Sequence, residues 1–316
     1  MTSINPLLPQ DVAAVAAMRQ ATSAHKGHSL GPEARPMFDA MLGAVPPVAG
    51  GRVEDATIGG IPGVRLRPDG ARPDARLLYI HGGGYVLGSA GAFTNFAGQI
   101  AARVGVEMFI PDYRLAPEHP FPAAIDDVLA AYRGLVAEGG GQIAVAGDSA
   151  GGGLTLALLS ILTTAKGKGL PPPVGAAVMS PWTDLALTGA SMETRAEADP
   201  IFMRDMLEAF AALYLQGRDA ADPEASPLYG RLEGLPPIRI DVGDDEILLD
   251  DSTRYAAWAR TAGVDVTLAI WERMPHVFQS SLGRFLTAEH AVNAMSEFLY
   301  RQLSGAALPN ADLSGA

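Results

Sequence analysis

Short runs rich in apolar and β-branched residues alternate with helical segments along most of this 316-residue chain. Eight runs have the composition of strands, at 56–59, 64–67, 76–80, 106–110, 143–146, 174–179, 238–242 and 266–271. Helical segments follow the later strands, at 93–104, 123–137, 150–164, 249–261 and 285–303. Such alternation is typical of a mostly parallel sheet with helices on both faces. We therefore predict an α/β fold built on eight strands.

Two parts of the chain do not follow the alternation. The first fifty residues carry two amphipathic segments, 11–21 and 32–42, and end in a passage rich in Pro and Gly. Between the strands 174–179 and 238–242, apolar residues recur at helical spacing, which indicates an inserted helical cap. We predict cap helices at 1–50, a sheet domain at 51–182 and 229–303, an inserted cap at 183–228, and a disordered tail at 304–316.

Composition limits the partners of the chain. Its net charge is −12, so nucleic acid and anionic membrane surfaces would be repelled, and a neutral small molecule is the expected partner. The absence of cysteine excludes disulfides, thiolate metal sites and a cysteine nucleophile. No leader-like segment opens the sequence, and no apolar stretch is long enough to cross a bilayer. We expect a soluble, cytoplasmic protein without membrane insertion.

A Gly-x-Ser-x-Gly sequence, Gly147-Asp-Ser-Ala-Gly151, joins a predicted strand to an apolar helix. At such a turn the serine hydroxyl is forced outward, and the helix N-terminus offers free N–H groups to an anion. The pentapeptide alone is weak evidence, because a glycine-rich chain contains such matches by chance. Its context makes Ser149 a candidate nucleophile.

Acyl transfer from a serine also needs hydrogen-bond donors for the oxyanion. Three glycines follow the strand 76–80, and without side chains Gly83 and Gly84 could bring their N–H groups close to a substrate oxygen. The third predicted donor is the N–H of Ala150. A dinucleotide-binding turn has tighter glycine spacing and an acidic residue about twenty positions later, so we predict no cofactor here.

The serine needs a base and an acid that orients it. In α/β hydrolases the order along the chain is serine, acid, histidine, with the histidine after the last strand. Of six histidines, His276 fits this position, in the loop before the final helix. The acid should follow the strand 238–242, where carboxylates occupy 244–246 and 250–251. Spacing alone does not separate Asp245 from Glu246.

These motifs together resemble the hormone-sensitive-lipase-like esterases of the α/β-hydrolase fold, called family IV among bacterial enzymes. The resemblance covers about residues 77–303 and rests on His81-Gly-Gly-Gly-Tyr85, on Gly147-Asp-Ser-Ala-Gly-Gly152 and on Asp112-Tyr-Arg-Leu-Ala-Pro-Glu-His-Pro-Phe-Pro-Ala-Ala124. It implies Ser149 as nucleophile, His276 as general base, and Gly83, Gly84 and Ala150 as oxyanion donors. No metal is implied, and a homodimer is compatible with the resemblance alone.

Two positions depart from the family pattern. The family commonly has Asp-Pro-Leu-x-Asp-Glu with the first Asp catalytic, and alignment of Asp250-Asp251 with its final acidic pair places Glu246 at that position. We therefore prefer Glu246 as the acid, with Asp245 as the alternative. The second departure is Val277, where the family usually has glycine after the histidine; this change is expected to narrow the pocket.

The resemblance also implies a cap over a pocket for the acyl and alcohol groups. The candidate pocket residues are Tyr85, Leu87, Trp182, Phe202, Met203, Phe210 and Tyr214. Each of them is equally well explained as part of the core. Arg114, Glu118 and His119 lie in the third motif, and we expect them to brace the loop below the site rather than react.

We therefore expect a metal-independent serine carboxylesterase that hydrolyses short- to medium-chain esters through an acyl-enzyme. The same three side chains serve all acyl transfers, so a lactone or amide hydrolase is an alternative. A second alternative is a ligand-binding protein that uses the fold without catalysis. Such relatives lack one member of the triad, whereas Ser149, His276 and the acidic loop are all present here.

Overall fold

The computed structural model describes residues 1–23, 26–27, 31–139 and 141–306. In these residues, nine strands form one sheet in the order β1-β9-β8-β7-β6-β4-β5-β3-β2. The strands are β1 Thr2–Asn5, β2 Arg52–Ile58, β3 Ile61–Arg67, β4 Arg72–Ile80, β5 Val106–Pro111, β6 Gln142–Asp148, β7 Ala176–Met179, β8 Ile238–Gly243 and β9 Val266–Trp271. Most of the predicted tail, from residue 307 onward, lies outside the described residues.

The strands are parallel except where β3 pairs with β2 and with β5. This confirms the predicted α/β fold with a mostly parallel sheet, but the predicted number of eight strands is wrong. The additional strand is β1, which pairs with β9 from Thr2 opposite Leu268 to Asn5 opposite Trp271. Four residues are too few to show a period, and this strand forms only because the edge of β9 offers it hydrogen-bond partners.

Helices cover both faces of the sheet. They are α1 Val12–Ser23, α2 Arg35–Gly43, α3 Ala90–Val104, α4 Ala123–Glu138, α5 Ser149–Leu162, α6 Ser191–Thr194, α7 Arg204–Leu215, α8 Leu249–Thr261 and α9 Leu286–Ser304. Successive side chains of a strand point to opposite faces. In β4, Leu77 and Tyr79 therefore pack on α3 and α9, whereas Leu78 and Ile80 pack with α4 and α5. Burial on both faces explains the nearly continuous apolar sequence of the central strands.

The two parts outside the alternation are joined to the sheet domain by polar contacts. Helix α1 reaches the loop after β8 through Arg19, whose Nη1 lies 2.7 Å from Oδ2 of Asp245. The second nitrogen of the same guanidinium donates to the carbonyl oxygen of Ala198, in the insertion between β7 and β8. Helix α7 belongs to this insertion, and its Tyr214 accepts a backbone hydrogen bond from Phe121.

Parallel strands place their carboxyl ends at the same edge of a sheet, and ligands of such folds bind in the crevice outside that edge. Strands β4, β6, β7, β8 and β9 all run in one direction. The loops that follow them carry His81 to Gly84, Ser149, Ser180, Glu246 and His276. The topology thus brings five separate segments of the chain to one place.

Candidate active site

Ser149 stands at the sharp turn between β6 and α5. Its φ of 52° lies in the left-handed region, which a non-glycine residue rarely adopts. Gly151 allows the turn to sit against the neighbouring strand, because a Cβ there would collide with the carbonyl oxygen of Ile80. The side chain of Ser149 is therefore held at the edge where the strands end, and Ser149 as a whole is only 8% exposed.

The structure brings Ser149, His276 and Glu246 together in one row. Oγ of Ser149 lies 2.9 Å from Nε2 of His276, and Nδ1 of the same ring lies 3.4 Å from Oε2 of Glu246. The first distance is that of a hydrogen bond; the second is an ion-pair distance slightly longer than one. A carboxylate facing Nδ1 favours the tautomer with its proton there, which leaves Nε2 able to accept the serine proton.

Ser180, which the sequence analysis did not single out, connects the acid to the base. It directly follows β7 with a φ of 45°, and its hydroxyl donates to Oε2 of Glu246 at 2.8 Å. Oγ of Ser180 in turn accepts the backbone N–H of Val277 at 3.2 Å. Its position at the end of a central parallel strand was the signal that could have identified it.

Asp245, the alternative acid, is paired with another side chain. Its carboxylate is paired with Arg19, and its backbone N–H donates to the carbonyl oxygen of Met274 at 3.2 Å. Glu246 is fully buried, whereas the side chain of Asp245 is 18% exposed. The geometry therefore favours Glu246 over its neighbour.

Burial dominates the electrostatics of the site. It raises the pKa of Glu246, and the facing His276 together with the Ser180 hydroxyl lowers it again. Burial also raises the pKa of Asp148 to about 6, against hydrogen bonds from Tyr79 and Gly82 that lower it. In a medium of low dielectric constant, these carboxylates interact strongly with any charge that develops on the imidazole.

The glycine loop after β4 is a tight turn anchored from below. The N–H groups of Val86 and Leu87 both donate to the carbonyl oxygen of Gly83, at 3.1 and 2.8 Å. Gly82 donates to Oδ1 of Asp148 at 3.1 Å, which fixes the start of the loop next to the serine turn. Among the described residues, the N–H groups of Gly83 and Gly84 have no acceptor.

The third predicted donor lies at the start of α5. The first N–H groups of an α-helix have no acceptor within the helix, and Ala150 occupies such a position directly after Ser149. The partial positive charge of the helix N-terminus adds to the attraction for an anion at this point. N–H groups that are free to bind an anion are therefore expected both in the glycine loop and at the start of the helix that carries the serine.

His81, at the start of the glycine loop, does not face the serine. Its ring is stacked between Tyr113 and Phe93, with centroids 4.3 and 5.2 Å away, and its Nδ1 lies 2.8 Å from the carbonyl oxygen of Gly82. Burial lowers the pKa of His81 to about 4, so the ring is neutral at physiological pH. This histidine supports the loop by packing.

Two of the predicted pocket residues lie at the site. The ring of Phe202 meets the imidazole of His276 edge to face, with centroids 4.9 Å apart and planes at 78°. Phe210 lies against the glycine loop, since a Cβ on Gly84 would come within 2.9 Å of its ring. The insertion thus places one aromatic ring beside the histidine and another beside the predicted oxyanion donors.

The other predicted pocket residues lie in the packed interior, apart from one at the surface. Tyr85 stacks on Tyr214 with centroids 3.9 Å apart and packs against Trp182 at 5.8 Å, and all three rings are buried. Leu87 is buried as well, whereas Met203 is 43% exposed at the surface. The stacked rings join the glycine loop to α7, so core packing accounts for their burial, and a role in substrate binding stays a prediction.

The third sequence motif braces the loop after β5. Arg114 binds both carboxylate oxygens of Asp127, at 2.7 and 2.8 Å. Arg35 of α2 binds the carboxylate of Glu118 and the carbonyl oxygens of Val86 and Ala116. These contacts join the motif to α2 and to the end of the glycine loop.

Over the described ranges, no three or more His, Cys, Asp or Glu side chains are grouped so that they could hold a metal ion. In the same part of the chain, no helix has the length and apolar character needed to cross a membrane.

Comparison with known proteins agrees with this geometry. A family model described as the alpha/beta hydrolase fold matches residues 77–280. The chain is 42% identical over 225 residues to an acetyl-hydrolase of Streptomyces hygroscopicus, covering 70% of this chain and 74% of the relative. It is 34% identical over 274 residues to an esterase of Acinetobacter venetianus, covering 85% and 89%.

Solved structures are similar over nearly the whole chain. A crystal structure of an esterase from the bacterial hormone-sensitive lipase family superimposes with a TM-score of 0.87 at 38% identity, covering 94% of this chain and 99% of that one. Fold and site thus define an α/β hydrolase. Within that class, the chain belongs to the hormone-sensitive-lipase-like esterases and is a carboxylic ester hydrolase.

Proposed function

We propose that this protein is a serine carboxylesterase that hydrolyses short- to medium-chain esters through a covalent acyl-enzyme. The observation that carries the proposal is the row of three side chains, in which Oγ of Ser149 lies 2.9 Å from Nε2 of His276 and Glu246 faces Nδ1. A hydroxyl this close to an imidazole lone pair can transfer its proton as it attacks a carbonyl carbon.

In the first half of the reaction, Nε2 of His276 takes the proton of Ser149 while Oγ bonds to the ester carbonyl carbon. The carbonyl oxygen becomes an oxyanion, which the N–H groups of Gly83, Gly84 and Ala150 stabilise. Glu246 stabilises the positive charge on the imidazole. The imidazolium then donates its proton to the departing alcohol oxygen, and the acyl group remains on the serine.

The second half repeats these steps with water. His276 removes a proton from the water molecule as its oxygen attacks the acyl carbon, and the same N–H groups stabilise the second oxyanion. Collapse of that intermediate returns the proton to Ser149 and releases the carboxylic acid. Every proton moves through one ring nitrogen, so the reaction needs no group beyond those of the chain and water.

Two observations support a small acyl group. Phe202 packs against His276 and Phe210 against Gly84, so two bulky aromatic rings border the groups that are proposed to react. The relative from Streptomyces hygroscopicus is an acetyl-hydrolase, and an acetyl group is the smallest acyl group of ordinary esters.

The proposal is tested with p-nitrophenyl esters of increasing acyl length and a pair of serine variants. We expect kcat/KM to be highest for short and medium chains and to fall for long ones. Ser149→Ala should lower kcat by about 10⁵- to 10⁶-fold and abolish labelling by a phosphonate. The matched control is Ser160→Ala, a buried serine of the same helix. Full activity of Ser149→Ala would refute the proposal.

A further inference from the structure

A second buried carboxylate, Asp199, lies in the loop between α6 and α7 and takes no part in the proposed reaction. It is fully buried, and both of its oxygens are occupied by backbone donors. Oδ1 accepts the N–H groups of Ile201 and Phe202 at 2.7 and 2.9 Å, and Oδ2 accepts that of Ile247 at 2.9 Å. One side chain therefore ties the inserted cap to the loop after β8.

Both ends of this connection lie beside the histidine. Phe202 places its ring edge-on against the imidazole of His276, and Ile247 directly follows Glu246. A shift of either backbone segment would move a group that contacts the imidazole. Hydrogen bonds from backbone N–H groups to a carboxylate are stronger than neutral ones and are fixed in direction, so Asp199 is well suited to hold both segments.

The charge of Asp199 also acts on the histidine. Burial raises the pKa of Asp199, whereas its three backbone hydrogen bonds and the positive charge that His276 can carry lower it. In turn, burial is the main cause of the raised pKa of Glu246, and the negative charge of Asp199 raises it further. The carboxylates that interact with His276 are thus Glu246, Asp199 and Asp148.

In the described part of the chain, two cations contact the backbone around Asp199. Lys26 donates to the carbonyl oxygens of Ala196 and Asp199, and Arg19 donates to that of Ala198. The guanidinium of Arg19 is paired with Asp245. Among the described residues, no cation forms an ion pair with the carboxylate of Asp199 itself, so its charge is not neutralised by a direct partner.

We infer that Asp199 is a positioning residue of ester hydrolysis, which holds Phe202 and Glu246 against His276 and stabilises the imidazolium by its charge. The inference rests on the proposed function, since it assigns His276 the role of base. It adds a second buried carboxylate to the groups that are proposed to support this base. It also gives the loop between α6 and α7 a role in aligning the reacting groups.

The test is Asp199→Asn, which keeps the shape and one acceptor oxygen but removes the charge and the second acceptor. We expect kcat to fall about ten- to a hundredfold, the effect of losing a hydrogen bond to a charged group. The imidazolium loses a stabilising charge, so the acid limb of the pH profile should move to lower pH. The matched control is Asp205→Asn, an exposed carboxylate of the same insertion, with no expected change.

The readout is the rate at which a small phosphonate labels Ser149 as a function of pH, followed by mass spectrometry. It reports the basicity of His276 without depending on ester binding under the cap. Failure of the phosphonate to label Ser149 in the wild-type protein would refute the proposed function, and this inference with it. Labelling of Ser149 at the same rate and pH dependence in both proteins would overturn this inference alone.

A purely structural role predicts a lower Tm for Asp199→Asn with an unchanged acid limb, and that result would also overturn the inference. If the variant does not fold, Asp199→Glu replaces it. This substitution keeps the charge and moves the oxygens by one methylene group. A lower kcat with the acid limb in place supports the inference, whereas unchanged kcat contradicts it.

Discussion

Replacement of Ser180 by alanine tests whether the acid of the proposed triad is held by this hydroxyl. The carboxylate of Glu246 is fully buried, and the Ser180 hydroxyl donates to its Oε2 at 2.8 Å. His276 Nδ1 faces the same oxygen at 3.4 Å, and Oε1 has no partner among the described residues. Ser180 thus makes the shortest hydrogen bond to this carboxylate, and alanine removes it.

The size of the effect follows from these contacts. A hydrogen bond to a charged group contributes about 1.5–3 kcal/mol, and a fully buried carboxylate is little screened by solvent. If the whole amount is lost in the transition state, kcat/KM falls by about 10- to 150-fold, at about 1.4 kcal/mol for each factor of ten. The backbone N–H of Val277 also loses its acceptor, which loosens the residue after His276.

The assay compares kcat, KM and Tm of the wild-type protein, Ser180→Ala and Ser226→Ala with p-nitrophenyl butyrate. Ser226 is a matched control, because it is equally buried, accepts the N–H of Leu185 at 2.8 Å and donates to the carbonyl oxygen of Ala220 at 2.7 Å. Both variants should lose stability by about 1–3 kcal/mol. Only Ser180→Ala should lose kcat. A kcat within twofold of that of Ser226→Ala would refute the reasoning.

Two further predictions concern carboxylates. Glu246→Gln should lower kcat by about 10³- to 10⁴-fold, since an amide favours the wrong imidazole tautomer. Asp245→Asn should lower kcat by less than about tenfold. A larger loss of kcat for Asp245→Asn than for Glu246→Gln in steady-state kinetics would contradict the assignment of the acid. Because the pKa of buried Asp148 is raised from 3.8 to about 6, the native state binds a proton more tightly than the unfolded chain. The contribution of Asp148 to the free energy of unfolding should therefore fall as pH rises between these values. Asp148→Asn keeps the acceptor for Tyr79 and Gly82, and urea titrations at several pH values should show a shallower fall for this variant than for the wild-type protein.

Much of the fold could be predicted from the sequence because its signals are local. The central strands are short, apolar and bounded by glycine or charged residues, so their positions follow from composition alone. Strand β1 has no such signal, because Thr2–Asn5 contains one apolar residue and becomes a strand only against β9. Its formation is a property of the assembled sheet.

In the candidate site, too, some residues could be predicted from local sequence signals and others could not. Ser149 and His276 stand in short motifs or at a defined place in the strand order, and the structure brings them within hydrogen-bonding distance. Ser180 and Asp199 lie outside the three sequence motifs. Their partners are set by the way the loops fold over the sheet edge, which spacing in the sequence does not encode.

The short loop after β8 is bound both to α1 and to the insertion between β7 and β8, the two parts of the predicted cap. Asp245 holds it to α1 through Arg19, and the N–H of Ile247 holds it to the insertion through Asp199. Glu246 lies between Asp245 and Ile247. Grafting a cap from a relative to accept bulkier esters would therefore remove the two contacts that hold the backbone on either side of Glu246. Engineering of substrate range in this enzyme should therefore keep Arg19 and Asp199 in place, because both side chains also hold the loop of the proposed acid.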